Sequence, residues 1–333
     1  YAGAAGGGVW KSNNAGTTFN PIFDKYCQSI GAIEVDPNDP DNTVYVGTGE
    51  TWPRNSVTIG DGLYKSIDGG NSWNKIGFEN SERIANIIVN PKNSDEIIVG
   101  VLGALWSDSK ERGVYKSDDG GISWNKILYI NEATGCADLV IDPKNPNIIY
   151  ASMWEFRRTG WSFNSGGENS ALYKSEDGGK NWKKVLGGGE WTGVTEVIID
   201  PRNPNRLYAA TWQRHRTVAA LMGGGPESGL HRSIDGGETW EKLKTGLPKS
   251  NIGKIGFAIS PQNPDVLYAA LELERLKGGV YRSSDRGSSW TKMSNTVSGG
   301  TGPHYYQELY ASPHKFDRLY LMNGKKIFFK FVL

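Results

Sequence analysis

Ser66-Ile67-Asp68-Gly69-Gly70-Asn71-Ser72-Trp73 reads as a tight turn between two strands. An Asp in the third position can accept hydrogen bonds from the turn's own backbone N–H groups. The Gly two residues on permits positive φ, and the Trp is large enough to anchor the returning strand. The pattern Ser-x-Asp-x-Gly-x-(Ser/Thr/Asn)-Trp recurs at 117–124, 175–182, 233–240 and 283–290, and a degenerate copy runs from Ser12 to Phe19 with Asn14 in place of the acid. Positions 14, 68, 119, 177, 235 and 285 are separated by 54, 51, 58, 58 and 50 residues. A steady period of about fifty residues marks a repeat architecture.

A second motif keeps the same period. It reads apolar-x-Asp-Pro-x-Asn-Pro-x-x-apolar-Tyr-Ala, as in Ile141-Asp142-Pro143-Lys144-Asn145-Pro146-Asn147-Ile148-Ile149-Tyr150-Ala151, with copies from Val35, Val89, Ile199 and Ile259 and a weaker one from Ser312 to Tyr320. Each unit therefore carries four strand signals: A before Asp-Pro, B after Asn-Pro, C of the Gly-Leu-Tyr-Lys-Ser type, and D starting at the turn's Trp. Asn, Asp, Gly and Pro punctuate every junction, and helical spacing is absent. Four short antiparallel strands repeated around a ring solve the problem of unpaired sheet edges, so the fold class is all-β, a β-propeller of four-stranded antiparallel blades. Five complete units and two partial ones point to six or seven blades, with seven, one of them incomplete, favoured.

Composition agrees. Gly (44) and Trp (12) are abundant and Met (4) is scarce, a mixture suited to turns and aromatic-packed strands. Lys plus Arg number 37 against 36 Asp plus Glu, so no basic excess is available to attract nucleic acid. No apolar run is long enough to span a membrane. Tyr1-Ala2-Gly3 matches the middle of later repeats, as at Tyr208-Ala209-Ala210, which reads as a trimmed start within a larger exported protein. Cys27 and Cys136 fall in corresponding connections of non-adjacent repeats, which argues against a bond between them. The histidines 215, 231, 304 and 314 are scattered without metal-ligand spacing, and no cofactor or metal site is expected.

The five turn segments resemble the Asp boxes, or bacterial neuraminidase repeats, of sialidases, xyloglucan hydrolases, sortilin and a photosystem assembly factor. Gly6-Gly7-Gly8-Val9-Trp10-Lys11-Ser12, the stretch 47–50 and Ser165-Gly166-Gly167 extend the likeness, over almost the whole chain, to exported bacterial sortilin-like and glycosyl-hydrolase-like repeat proteins. The resemblance implies a location outside the cytoplasm, whether extracellular, cell-surface or periplasmic. It also implies that the Asp boxes lie on the face opposite the ligand site. Repetition gives the same answer, because one active site needs one or two special carboxylates and not one per blade. Asp68, Asp119, Asp177, Asp235 and Asp285 are therefore expected to be structural. An arginine in the Arg-Ile-Pro setting of sialidases is missing. Xyloglucan hydrolases place a catalytic Asp in each of two facing propellers, and this chain holds one.

Function is then expected on the other face, in the B–C connections 49–61, 102–112, 153–170, 211–228 and 272–278 and the D–A connections. Trp52, Trp106, Trp154, Trp161, Trp191 and Trp212 fall there, and flat aromatic faces stack on sugars or anchor peptides. Cations are interleaved with them: Arg54 beside Trp52, Arg157 and Arg158 after Trp154, and Arg214 and Arg216 after Trp212. Guanidinium pairs suit carboxylate or phosphate. Glu50, Asp61, Asp108, Glu111, Glu155, Glu168, Glu190 and Glu308 are the carboxyls on that side, but sequence does not pair them. These features support a noncatalytic binding or scaffold propeller that engages a protein or glycan, with other domains of the same protein as further partners. The alternative is part of a glycoside hydrolase acting on a polysaccharide.

Overall fold

A computed structural model describes residues 1–51, 57–273, 277–298 and 308–322, and the backbone of 328–331. Among them there is no helix, and five complete four-stranded antiparallel sheets follow one another in A-B-C-D order. The chain is a β-propeller. The first blade comprises Ile30–Val35, Val44–Thr48, Leu63–Ser66 and Asn74–Lys75, and the second Ile84–Asn90, Asn93–Val101, Gly113–Ser117 and Asn125–Leu128. Thr134–Ile141, Ile149–Arg158, Ala171–Ser175 and Lys183–Gly187 form the third. The fourth comprises Thr192–Asp200, Asn203–Gln213, Gly229–Ser233 and Glu241–Lys242, and the fifth Ile255–Ile259, Leu267–Glu272, Gly278–Ser283 and Thr291–Ser294. Two three-stranded sheets flank them, one of Ala2–Ala4, Gly8–Lys11 and Asn20–Pro21, the other of Leu309–Ala311, Arg318–Leu321 and Phe328–Phe331. The chain divides into two compact units, Tyr1–Ile141 with Pro146–Arg157 and Ser175–Trp182, and Asp142–Asn145 with Arg158–Lys174 and Lys183–Leu333.

The B strands are the cores of their blades. Val44–Thr48 is buried throughout, as is the run from Ile149 to Trp154, because sheet neighbours cover both faces. In the first unit Ile84, Ile87, Val99 and Val101 pack with Tyr45, Leu63 and Tyr115, and in the second Ile255, Phe257, Leu267 and Leu271 pack with Tyr208, Leu230 and Trp290.

The Asp boxes behave as the turn chemistry predicts. Asp68 Oδ1 accepts from Ser66 Oγ (2.8 Å) and Ser72 N (2.9 Å), while Oδ2 accepts from Ser72 Oγ (2.5 Å). The same set recurs at Asp119, Asp177, Asp235 and Asp285. Donation to the ionised form, chiefly from the side chains of Ser72, Ser123, Asn181 and Thr239, holds Asp68, Asp119, Asp177 and Asp235 down at about 2. A carboxyl so depressed has no proton to give at neutral pH. The Trp of the box differs between units. Trp73 and Trp124 donate Nε1–H to the carbonyls of Ile22 and Ile76 in the preceding repeat, Trp240 and Trp290 donate to Gly237 and Gly287 of their own boxes, and Trp182 reaches both Ile127 of the preceding repeat and Gly179 of its own box.

Each box is also tied to its blade's A–B turn. The residue after each Asp donates its backbone N–H there: Gly69 to Asn42, Gly120 to Asp95, Gly178 to Asn147, Gly236 to Asn205 and Arg286 to Asp265, all at 2.8–3.0 Å. Within every blade the A–B and C–D turns therefore share one edge. The B–C and D–A connections emerge at the other.

Two long B–C connections are not the loops the sequence reading expects. Strand B of the third blade runs on to Arg158 and that of the fourth to Gln213, and Ser162–Ser165, His215–Thr217 and Leu221–Met222 add three strands to the third sheet. The cause is visible in period two: Trp154, Phe156 and Arg158 are buried while Glu155 and Arg157 are half-buried.

Candidate functional site

At the loop edge one backbone hydrogen bond repeats in six sheets. The carbonyl of the residue just before strand A accepts from the residue beyond the paired part of strand B. The pairs, acceptor first, are Ser29 with Gly49, Arg83 with Leu102, Ala133 with Phe156, Trp191 with Arg214, Lys254 with Glu272 and Glu308 with Met322, at 2.8–3.2 Å. The backbone is the same and the side chains diverge, which is where a repeated scaffold diversifies its chemistry. The charged members, Arg83, Arg214, Lys254, Glu272 and Glu308, are the natural places to look.

In the second unit these positions assemble a cluster. The Lys254 side chain is buried, and the carboxyls of Glu308, Glu196 and Glu272 act on it electrostatically. Glu196 is held by the Phe257 N–H, which donates to its Oε2 at 3.2 Å. Gly253 N donates to Glu272 O at 2.8 Å, and a Cβ on Gly253 would stand 3.4 Å from Glu272 Cγ, so Glu272 is backed closely by backbone. Removal from water favours the protonated form of a carboxyl, and Glu272 shows this effect. Burial pushes its carboxyl up to about 8 against the opposing pull of Lys254.

The residues singled out from the sequence divide by burial. Trp52 and Arg54 lie outside the described residues. Trp106 and Trp161 are exposed, 49% and 70% respectively. Trp154 is buried and stacked on Phe156 with ring centroids 6.1 Å apart, and Trp212 is buried with Nε1–H donated to Gly223 O at 2.9 Å. Arg158 and Arg214 are buried too, their guanidinium carbons 5.3 and 4.2 Å from the Phe163 ring centroid. Arg157 is half-buried with Nε 3.7 Å from Asp108 Oδ1. Arg216 lies opposite Phe163 and Leu221 in the added strands, and half-buried Trp191 stacks on His215 at 4.4 Å.

Among the sequence-derived carboxyls, Glu50 is buried, Asp61 pairs with Lys75 (2.9 Å) and Tyr64 (2.7 Å), and Glu168 and Glu190 are exposed. Glu308 is the member of that set in the Lys254 cluster. Sequence reasoning missed Glu196, Lys254 and Glu272. Their signal was positional: Lys254 immediately precedes strand A and Glu272 closes strand B.

Shape and chemistry separate in the first unit. A concavity of about 510 Å³ lined by Lys65, Ile67, Lys75 and Ile122 opens beside the Asp boxes, and no carboxyl lines it. Among the described residues no group of three His, Cys, Asp or Glu is arranged to hold a metal, and no helix is long and apolar enough to cross a membrane. Cys27 and Cys136 are free thiols.

Comparison with known proteins places this geometry in context. The family described as sortilin, neurotensin receptor 3 (Sortilin-Vps10) matches residues 7–152 and 170–301. A probable oligoxyloglucan-reducing end-specific xyloglucanase of Neosartorya fischeri is 24% identical over 319 residues, 82% of this chain and 35% of that protein. A xyloglucanase of a Paenibacillus species is 26% identical over 297 residues, 87% of this chain and 24% of that protein. Among solved structures, the GH74 xyloglucanase from Xanthomonas campestris superposes with a TM-score of 0.71 at 19% identity, covering 99% of this chain and 49% of that one. At that identity the structural likeness speaks to the fold. The chain spans about a third or less of the two curated relatives and about half of the solved enzyme. The expectation of a noncatalytic scaffold is overturned, because the relatives aligned over most of the chain are enzymes, glycoside hydrolases by name. With both stretches of the family pattern covering most of its residues, the chain belongs to the Sortilin-Vps10 family of Asp-box β-propellers.

Proposed function

We propose that this propeller serves a glycoside hydrolase acting on a polysaccharide of the xyloglucan class outside the cytoplasm. Cleavage of a glycosidic bond needs one carboxylic acid to protonate the leaving oxygen and one carboxylate to activate water. The observation that carries the reading is Glu272, a carboxyl kept protonated at neutral pH in a cluster whose other carboxyls, Glu196 and Glu308, compete for the same ammonium. In this reading Glu272 gives its proton to the glycosidic oxygen as the bond to the anomeric carbon breaks. Glu308 takes the proton of the water that replaces it. Glu196, fixed by the Phe257 N–H, keeps Lys254 oriented. Exposed Trp106 and Trp161 offer flat faces for sugar rings in their respective units. Half-buried Arg157 and Arg216, with Trp52 and Arg54, complete the set of proposed glycan contacts. Trp154, Arg158, Trp212 and Arg214 are buried and are not counted among the contacts.

The two three-stranded sheets count in this reading as incomplete sixth and seventh blades. The test is a polysaccharide panel scored for bound glycan and for new reducing ends. Release from xyloglucan is the expected result. Binding without release on every polysaccharide would overturn the catalytic reading.

A further inference from the structure

The most heavily buried charges in the first unit are not in any carboxylate cluster. Arg83 and Arg112 are both fully buried, at 0% exposure, and share the Phe156 ring, with guanidinium carbons 4.4 and 5.2 Å from its centroid. Arg112 is well supplied with acceptors: Nη1 donates to Leu102 O (3.0 Å) and Nη2 to Ala104 O (2.5 Å) and Phe156 O (3.2 Å). Arg83 is not. Its Nε donates to Gly103 O (2.6 Å), and among the described residues no acceptor reaches its Nη1 or Nη2. Arg112 Nε and Arg157 Nη1 are likewise buried without a partner.

Charge points the same way as hydrogen bonding. After burial, the largest influence on Arg83 is the like charge of Arg112, ahead of Glu82 and Glu50, which act through space without accepting from Nη1 or Nη2. A guanidinium taken out of water needs an opposite charge and hydrogen-bond acceptors, or the loss of hydration amounts to several kcal/mol. Here the guanidinium's Nη1–Nη2 edge presents parallel N–H donors that no described residue answers.

We infer that Arg83, with Arg112 as the second cation, binds one small inorganic anion of halide size at the free Nη1–Nη2 edge. Size and charge follow from the surroundings. Neither arginine has a solvent-exposed face through which a polymer's carboxylate could enter. Glu82 and Glu50 already act on Arg83 with negative charge through space, which disfavours a divalent oxyanion. The anion stabilises the folded state, because its site exists only when residues 83, 103, 112 and 156 are assembled.

Thermal unfolding in sodium chloride against sodium gluconate at equal ionic strength tests the inference, together with bromide soaked into crystals and located by its anomalous signal. The expected result is a Tm that climbs with chloride, by a few degrees at about 100-fold excess over Kd, and a bromide peak within hydrogen-bond reach of Arg83 Nη1 and Nη2. Arg83→Met, folded by circular dichroism, loses the chloride dependence. Equal Tm in the two salts, or a water and no bromide at that edge, would overturn it. Should Arg83→Met not fold, the chloride titration and the bromide peak of the unaltered protein still decide.

Discussion

Replacing Glu272 by Gln separates the acid role from the fold. The folded protein holds the Glu272 proton up to about pH 8, while the unfolded chain releases it near the ordinary 4.5. The stabilisation from this group is therefore complete below about pH 4.5 and is lost as pH rises toward 8. Each pH unit between the two values is worth about 1.4 kcal/mol, which sets a ceiling of ~5 kcal/mol. Glu272 is half-buried, and screening by solvent brings the expected loss to on the order of 2 kcal/mol. Lys254 acts in a different window. Burial lowers its ammonium to about 8, so its contribution recovers between pH 8 and its ordinary 10.5. Glu34, which burial raises to about 7, acts in the same direction as Glu272 and remains in the variant. Urea unfolding of the unaltered protein and of Glu272→Gln at pH 5 and pH 8 isolates the difference. The unaltered protein should lose on the order of 2 kcal/mol more than the variant across that interval. Equal losses would refute the claim that Glu272 keeps its proton at neutral pH.

Trp212→Ala should cost about 3–5 kcal/mol in urea unfolding, because a fully enclosed indole is removed and the Gly223 carbonyl loses its donor. His231 is held down at about 4 by burial and then by Lys242, so its stabilisation is present above its ordinary 6.5 and lost as pH falls toward 4. His231→Gln should flatten acid unfolding between those limits by on the order of 1 kcal/mol. Asp119→Asn weakens a turn whose acid accepts from Ser117, Ile122 and Ser123, and differential scanning calorimetry should show a lower Tm with kcat unchanged.

The fold was legible because its decisive interactions are local. Asp68 bonds residues two and four positions away, so the spacing that makes the turn is printed in the sequence and repeats. The carboxylate site was not legible, because Glu196, Lys254, Glu272 and Glu308 meet through strand register across segments far apart in the chain. Trp154, Arg158, Trp212 and Arg214 fall in the B–C connections and read as candidate ligand contacts. Alternation with Glu155, Arg157 and Gln213 carried the opposite message, since a strand that continues past its expected end buries every second side chain. The proposed acid and base leave no motif of their own in the sequence, because strand register and not local spacing brings such residues together.

Under the proposed function, chemistry resides in the Lys254 cluster and not in the Asp boxes. Reducing-end release from xyloglucan by the unaltered protein, Glu272→Gln and Asp119→Asn tests it most directly. Glu272→Gln should lose about 100-fold or more in kcat, the contribution of a general acid, while Asp119→Asn retains its rate. Full activity in Glu272→Gln, or its loss in a folded Asp119→Asn, would contradict it.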